Sequence, residues 1–202
     1  MTSVAALLLT ASAIVAMQLP AIGAGGLLHP MRRRTIAARP PACDDAAFQG
    51  VGITLRGWRC RTPAARRGTI VYLHGIADNR SSAIAAIDRF GRRGFDVVAY
   101  DSRAHGESQG GVCTFGFLEK QDLHRVVDTL EPGPVVLLIH GDADRDTPPD
   151  HSRRVFAALS GPKRFILVPG ARHNESLRAE VWDDVERWLD GVLGDLRFSS
   201  RP

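Results

Sequence analysis

Four short runs of consecutive apolar residues mark the central part of the chain, and segments with helical spacing separate them. The runs are Thr69–Leu73, Phe95–Tyr100, Pro134–Ile139 and Phe165–Val168. Between two of them, Leu123, Val126, Val127 and Leu130 recur at the spacing of one helix face. Apolar runs that alternate with amphipathic helices are typical of parallel strands buried on both faces. The pattern predicts an α/β fold with a mostly parallel sheet and helices on both faces.

The segments before the first run predict how the chain is divided. Residues 50–60 alternate apolar and polar positions, which predicts a half-exposed antiparallel strand or hairpin. Residues 30–47 are rich in Pro, Arg and Ala without an apolar period, and we interpret them as a linker. The globular domain is therefore expected over residues 48–195, followed by a short tail over residues 196–202.

The first 29 residues predict a membrane anchor. No charged residue occurs from Val4 to Leu28, and about 20 apolar residues suffice to cross a bilayer. Basic residues follow at Arg32, Arg33, Arg34 and Arg39. The positive-inside tendency then predicts a single-pass protein whose domain faces the cytoplasm and whose helix contacts membrane lipid. A cleaved signal peptide, a mis-assigned start and a disordered tail remain as alternatives, although a signal peptide would normally carry basic residues before its apolar core.

Charge and cysteine content limit the classes of function. The chain has 26 basic and 22 acidic residues, and the four arginines of the first 40 residues account for the excess. A domain without net charge lacks the basic face of nucleic-acid-binding proteins, so that class is excluded. The cysteines Cys43, Cys60 and Cys113 have no C-x-x-C spacing, which argues against a zinc site. A Cys43–Cys60 disulfide is possible if the domain is exported, and free thiols are expected in the cytoplasm.

Each apolar run ends in a loop that carries chemically active side chains. The loops begin at His74-Gly75, Asp101, His140 and Pro169, and the last contains His173. Open α/β sheets place their ligands at the carboxyl ends of the strands. The sequence therefore predicts a site at this edge.

Together these motifs resemble the α/β-hydrolase family, in particular its membrane-anchored serine hydrolases of the esterase, lipase and lysophospholipase type. The resemblance covers about residues 48–193 and implies an acyl ester or lipid substrate and no cofactor. It implies that His74, Gly75 and the backbone N–H of Ile76 form the oxyanion hole. It also implies that Asp144 is the acid and His173 the general base of a catalytic triad.

The nucleophile of such a triad is missing from its expected place. In this family it precedes the acid, on a tight turn between a strand and a helix. Here the stretch from Pro134 to Pro149 resembles the nucleophile strand and the acid strand joined as one. Ser108 lies in the G-x-S-x-G string of residues 106–110, but Gly111-Val-Cys113 follows that string instead of a helix, so we reject Ser108 as the nucleophile. The sequence therefore predicts a truncated α/β-hydrolase fold without a nucleophile.

The truncation also predicts a changed strand order. Unpaired backbone groups in a buried gap would each cost about 1 to 3 kcal/mol. We therefore expect Val135–Ile139 to pair with Thr69–Leu73, and Phe165–Val168 to pair with Val135–Ile139.

The expected function is that of a serine-hydrolase relative that is catalytically silent or impaired. One alternative is a non-enzymatic, membrane-tethered interaction module. Another is a metal-assisted hydrolase, for which the candidate ligands would be His140, Asp142, Asp144, Asp146 and His151. Their spacing matches neither H-E-x-x-H nor a calcium loop, so no metal site is predicted. Cys113 is an unfavourable substitute nucleophile because thiols in glycine-rich loops are usually inert.

Overall fold

The computed structural model describes residues 16–130, 136–145, 148–158, 163–173 and 175–199. The chain divides into two compact units, Met1–Leu130 and Glu131–Pro202. Each unit is described by itself below. The sequence predicts one domain over residues 48–195, whereas the contacts within the chain divide this range after Leu130.

The first unit contains a four-stranded sheet and three helices. Residues 16–28 are helical and form α1. The other elements are β1 (Cys43–Gln49), β2 (Thr54–Cys60), β3 (Gly68–Leu73), a 3₁₀ turn (Arg80–Ala83), α2 (Ile84–Gly91), β4 (Phe95–Tyr100) and α3 (Glu119–Val127). The strand order is β1-β2-β4-β3. The predicted runs at Thr69 and Phe95 are therefore strands, and the predicted alternating segment is one arm of a hairpin.

Strand direction in this sheet is mixed. β1 pairs with β2, and β2 with β4, in antiparallel register, whereas β3 and β4 are parallel. The prediction of a mostly parallel sheet is therefore wrong for this unit, because the hairpin adds two antiparallel pairings at one edge. β1 also occupies the end of the predicted linker. Its sequence has no apolar period, but seven residues of it find partners on β2, and a disulfide joins Cys43 to Cys60.

The core of the first unit lies on both faces of β4. On one face Val98 and Tyr100 pack with Phe48 and Leu55, against Val126 of α3. Side chains alternate along a strand, so Phe95 lies on the other face, where its ring meets that of Phe90 of α2 edge to face. Helices therefore cover both faces, as the sequence predicts.

The second unit contains a parallel pair of strands and two helices. Its elements are β5 (Val136–Gly141), α4 (Pro149–Ala158), β6 (Lys163–Val168), a 3₁₀ turn (Ala179–Val181) and α5 (Trp182–Ser199). β5 and β6 are parallel neighbours, which confirms one of the two predicted pairings.

The other predicted pairing, of Val135–Ile139 with Thr69–Leu73, is wrong for the described residues. There β3 pairs with β4, and β5 pairs with β6, in two separate sheets. The prediction assumed that the gap left by the missing segment must close. The structure instead joins β5 to the next strand along the chain through α4, the local β-α-β connection that parallel strands favour.

The predicted anchor over residues 1–29 extends beyond the described part of the chain, since residues 1–15 lie outside it. Within the described residues, no helix combines the length and the apolar character needed to cross a bilayer. The membrane span therefore stays a prediction.

Candidate functional site

Asp144 and His173 form a hydrogen-bonded pair in the second unit. Asp144 follows β5, His173 follows β6, and His173 Nδ1 lies 2.9 Å from Asp144 Oδ2. The Asp144 carboxylate is buried, whereas the side chain of His173 is 43% exposed. The two residues that the resemblance assigns as acid and base are therefore in contact. Their catalytic roles stay predictions.

The parallel register of β5 and β6 brings these two side chains together. Both strands end at the same edge, and their loops are joined by backbone bonds from Asp142 N–H to Val168 O and from Ala143 N–H to Ala171 O, each 3.1 Å long. A Cβ on Gly141 would lie 2.1 Å from the carbonyl oxygen of Ala171. Only glycine therefore allows the two loops to approach this closely.

The contact between His173 Nδ1 and Asp144 matches a tautomer with the proton on Nδ1. An Nδ1–H that donates to a carboxylate leaves Nε2 with its lone pair, which is the form of imidazole that accepts a proton as a general base. The carboxylate also stabilises the imidazolium that would result. The pair can therefore take up and hold a proton.

A second histidine, which the sequence suggested only as a metal ligand, contacts the same carboxylate. His140 Nε2 lies 3.3 Å from Asp144 Oδ2, and His140 Nδ1 lies 2.8 Å from the hydroxyl of Ser152. A consistent assignment has Ser152 donating to Nδ1 and Nε2–H donating to Asp144. His140 thus helps to orient Asp144. In the sequence, the only indication of this contact is that His140 and Asp144 are four residues apart.

A cavity of about 670 Å³ opens at His173 and is lined by Ala143, Arg145, Arg172, His173 and Glu175. The backbone N–H of Arg172 and the guanidinium of Arg178 hold the pKa of Glu175 below its usual value. The carboxylate of Glu175 is therefore ionised and paired. A small polar molecule can reach His173 from this side.

The residues assigned to the oxyanion hole lie in the first unit, after β3. His74 Nδ1–H donates to Gly75 O at 2.7 Å, and His74 Nε2 accepts from Ser102 N–H at 2.9 Å. Burial lowers the pKa of His74, so the ring is neutral and holds two loops together, whereas the side chain of Ile76 is 56% exposed. It stays a prediction that His74, Gly75 and Ile76 form an oxyanion hole that acts with Asp144 and His173.

Ser108 has the surroundings of a structural residue. It is fully buried, its hydroxyl donates to the carbonyl oxygen of Asp101, and the same oxygen accepts from Arg56 N–H at 2.8 Å. Gly106 has a φ of +47°, and a Cβ there would lie 2.2 Å from the Asp101 carboxylate. The G-x-S-x-G string therefore closes a loop and does not expose a nucleophile.

Asp101 is the centre of that loop. Its carboxylate accepts from the backbone and guanidinium of Arg80 and from Glu107 N–H, and it is fully buried. Each of these bonds satisfies a polar group that would otherwise be buried without a partner. Asp101 therefore holds this loop in its conformation.

Neither remaining candidate chemistry gains support from the described residues. No group of three or more His, Cys, Asp and Glu side chains among them can hold a metal ion. Asp146 lies outside the described residues, as does the side chain of His151. Cys113 is buried, and burial raises the pKa of its thiol, which disfavours the reactive thiolate.

Comparison with known proteins agrees with the sequence motifs. Residues 68–140 match the family described as alpha/beta hydrolase fold. Bacillus subtilis YqkD is 34% identical over 80 residues, which are 40% of this chain and 26% of that protein. Escherichia coli YfhR is 34% identical over 71 residues, 35% of this chain and 25% of that protein. The chain thus spans about a quarter of the length of these curated relatives.

Solved structures share the fold at low sequence identity. The Pyrococcus furiosus esterase Pf2001 superimposes with a TM-score of 0.63 at 15% identity, over 82% of this chain and 97% of that chain. An α/β serine hydrolase homologue from Coxiella burnetii superimposes with a TM-score of 0.52 at 16% identity, over 76% and 99% of the two chains. Residues 68–140 are therefore similar in sequence to the α/β-hydrolase family, and the chain shares the fold of these solved structures.

Proposed function

We propose that this protein is a relative of serine esterases and lysophospholipases that has kept an acid–base pair and lost covalent catalysis. The activity expected of its active relatives is hydrolysis of carboxylic or lipid esters. The observation that carries the proposal is the burial of Ser108, the serine of the chain's G-x-S-x-G string, with its hydroxyl bonded on both sides. An ester carbonyl cannot reach an oxygen that has no exposed surface.

The Asp144–His173 pair alone does not hydrolyse esters at an enzyme's rate. Removing one member of a triad removes most of the catalysis that depends on it, because the members act as a unit. The pair would still bind and release a proton at the cavity beside Arg145 and Arg172. We therefore expect the protein to bind small ligands at this cavity without catalysing their hydrolysis.

The decisive experiment is covalent labelling of the full chain with a serine-directed fluorophosphonate. No labelling is expected, and an active esterase in the same reaction shows that the probe works. Labelling that disappears in Ser108→Ala would overturn the proposal by making Ser108 the nucleophile. Labelling that survives in Ser108→Ala would overturn it by revealing another reactive serine.

A second candidate function is a non-enzymatic interaction module, favoured by the buried ion pairs of the first unit. Two ion pairs there are almost fully buried, Arg80 with Asp101 and Arg103 with Asp122. The cheapest discriminating measurement is turnover of short-chain nitrophenyl esters beside a thermal unfolding scan. Cooperative unfolding without turnover favours the module. Turnover that needs added divalent metal and disappears in Asp144→Asn would favour metal-assisted hydrolysis instead.

We also propose that residues 1–29 attach the chain to a membrane. From residue 16 to residue 28, every residue except Gly25 is exposed in the described structure, and the segment carries no charge. A helix that is apolar all round needs apolar surroundings. Co-flotation of the full chain with lipid vesicles, resistant to high salt and alkaline carbonate, is the expected result.

A further inference from the structure

Two aromatic side chains extend into solvent from the short segment that precedes α3. Phe115 is 56% exposed and Phe117 is 67% exposed. Large apolar side chains that lie together on a surface mark contact sites for proteins or membranes more often than chance. We call residues 114–117 the aromatic loop.

The aromatic loop is held in place by one carboxylate. Glu119 accepts from Thr114 N–H and from the Thr114 hydroxyl, each at 2.6 Å, and from Gly116 N–H at 2.8 Å. Burial works to raise the pKa of Glu119, but these hydrogen bonds outweigh it and the pKa is lowered. The loop is therefore a built structure that is fixed by an ionised group.

The backbone of the aromatic loop is strained at Phe115. Its φ is +50°, in the left-handed region that bulky residues rarely adopt. Strain of this kind costs about 1 to 3 kcal/mol and persists where the surrounding structure enforces it, often at functional positions. Here it turns an apolar ring towards solvent, which gains nothing for folding.

The aromatic loop lies beside the end of the apolar helix α1. Cys113, one residue before the loop, donates its N–H to Leu28 O at 2.7 Å. His29 binds Gly111 O, and Arg32 donates to Ser108 O and Gly110 O, each at 2.7 Å. The end of α1 is therefore fastened to residues 108–113, which directly precede the aromatic loop in the chain.

We propose that Phe115 and Phe117 insert into the lipid bilayer that holds α1, so that the aromatic loop orients the first unit on the membrane surface. The proposal rests on the membrane attachment proposed above. Lys120 is exposed, and its Nζ lies 5.8 Å from the Phe117 ring centre. Arg33 and Arg34, which follow α1 in the chain, are also exposed. Aromatic rings flanked by basic side chains match a headgroup region that contains anionic lipid, which favours a bilayer over a protein partner.

The test is fluorescence quenching by brominated lipid in the full chain reconstituted into phosphatidylcholine vesicles with phosphatidylglycerol. Phe117→Trp places a reporter on the loop. Arg92→Trp is the matched control. Arg92 is similarly exposed, but it precedes β4 whereas Phe117 follows it, so the two residues lie beyond opposite ends of that strand. The three native tryptophans contribute equally to both variants. We expect the added emission of Phe117→Trp to lose most of its intensity and that of Arg92→Trp to keep it.

Equal quenching in the two variants would overturn the proposal. So would a shift of the Phe117→Trp emission to shorter wavelength without quenching, because that outcome means contact with protein. Co-flotation with vesicles, measured in the same samples, reports the attachment of residues 1–29 separately. Flotation without loop quenching refutes the loop contact alone, and loss of flotation refutes the attachment.

A second measurement keeps the proposal testable if the tryptophan disturbs the loop. In the parent protein, amide hydrogen exchange over residues 112–118 should slow on transfer from detergent to vesicles. In the double variant Phe115→Asn, Phe117→Ser this protection should be lost, while the thermal transition is kept, because Asn tolerates a positive φ. Unchanged exchange in the parent, or protection that depends on protein concentration, would refute the bilayer contact.

Discussion

Gly106 occupies the tightest position of the loop that follows β4. Its φ is +47°, and no side-chain carbon fits there, since a Cβ would meet the Asp101 carboxylate at 2.2 Å. That carboxylate is the group that Arg80 and Glu107 N–H bind. The glycine that makes the string look catalytic is thus required by the packing of the loop.

We expect Gly106→Ala to lower the free energy of unfolding by about 2 to 4 kcal/mol, because it combines a strained φ with overpacking against a buried carboxylate. Gly111→Ala is the control in the same loop, because nothing lies within 4 Å of its added carbon, and a change of about 0.5 kcal/mol or less is expected there. Urea unfolding of both variants measures the difference. Equal effects would show that Gly106 is not the constrained position.

The neutral side chain of His74 joins the loops after β3 and β4 by hydrogen bonds to Gly75 and Ser102. Burial is the main cause of its lowered pKa, from a usual value of 6.5. A group that binds a proton less readily when folded favours the unfolded state as pH falls. The folded protein is therefore more stable when the His74 ring is neutral.

The free energy of unfolding should be highest above pH 6.5 and should fall as pH drops below that value, because the unfolded chain then binds the proton that the folded ring resists. In His74→Gln this part of the pH dependence should be absent, while an amide oxygen can still accept from Ser102 N–H. Urea midpoints of both proteins between about pH 5 and pH 8 measure the difference. Parallel curves for the two proteins would exclude His74 as the group responsible.

At the scale of elements, the β1–β2 hairpin shows where a local pattern is insufficient. β1 contains two adjacent acids, Asp44 and Asp45, and no alternation that would predict a strand. Its partners on β2 supply the register, from Cys43 opposite Cys60 to Gln49 opposite Thr54. Pairing of this kind is decided by tertiary structure, so the sequence predicts a linker there.

Removing the disulfide should destabilise this hairpin. The bond closes a span of 17 residues, and a loop of that size is worth about 3 kcal/mol in the chain-entropy account. Cys43→Ala with Cys60→Ala should therefore lower the free energy of unfolding by about that amount. The control is Cys113→Ala, whose native residue is a buried free thiol. If reduction of the parent protein leaves its urea midpoint unchanged, the bond does not contribute.

The elements that could be predicted share one property, which is that their signal is local. β4 was predicted to the residue, because a continuous apolar run bounded by Gly94 and Asp101 has few alternative interpretations. The contact between Asp144 and His173 could be predicted because the resemblance assigns both residues to one triad, whereas their catalytic roles stay predictions. The parallel pairing of β5 with β6 could also be predicted. The predicted pairing of β5 with β3 is wrong for the described residues, since strand order depends on pairing free energies that no single segment records.

At the scale of the whole molecule, two sequence features give opposite answers about the compartment. The arginines after the apolar segment predict a cytoplasmic domain by the positive-inside tendency. The Cys43–Cys60 disulfide favours an oxidising compartment, because cytosolic thiols are kept reduced. Charge bias acts on insertion and can be overridden by cleavage or by the translocation of a whole domain, whereas a disulfide between these neighbouring strands persists only where thiols are oxidised. We therefore propose that the domain lies on the oxidising side.

On this view the protein taken from cells carries one free thiol, that of Cys113, and not three. Alkylation with a polyethylene-glycol maleimide under denaturing, non-reducing conditions should add a single label, and prior reduction should raise the number to three. Cys113→Ser should remove the label from the non-reduced sample, which shows that the disulfide and not poor access limits the reaction. Three labels without reduction would mean that Cys43 and Cys60 are thiols in the cell, and the cytoplasmic placement predicted from the arginines would then stand.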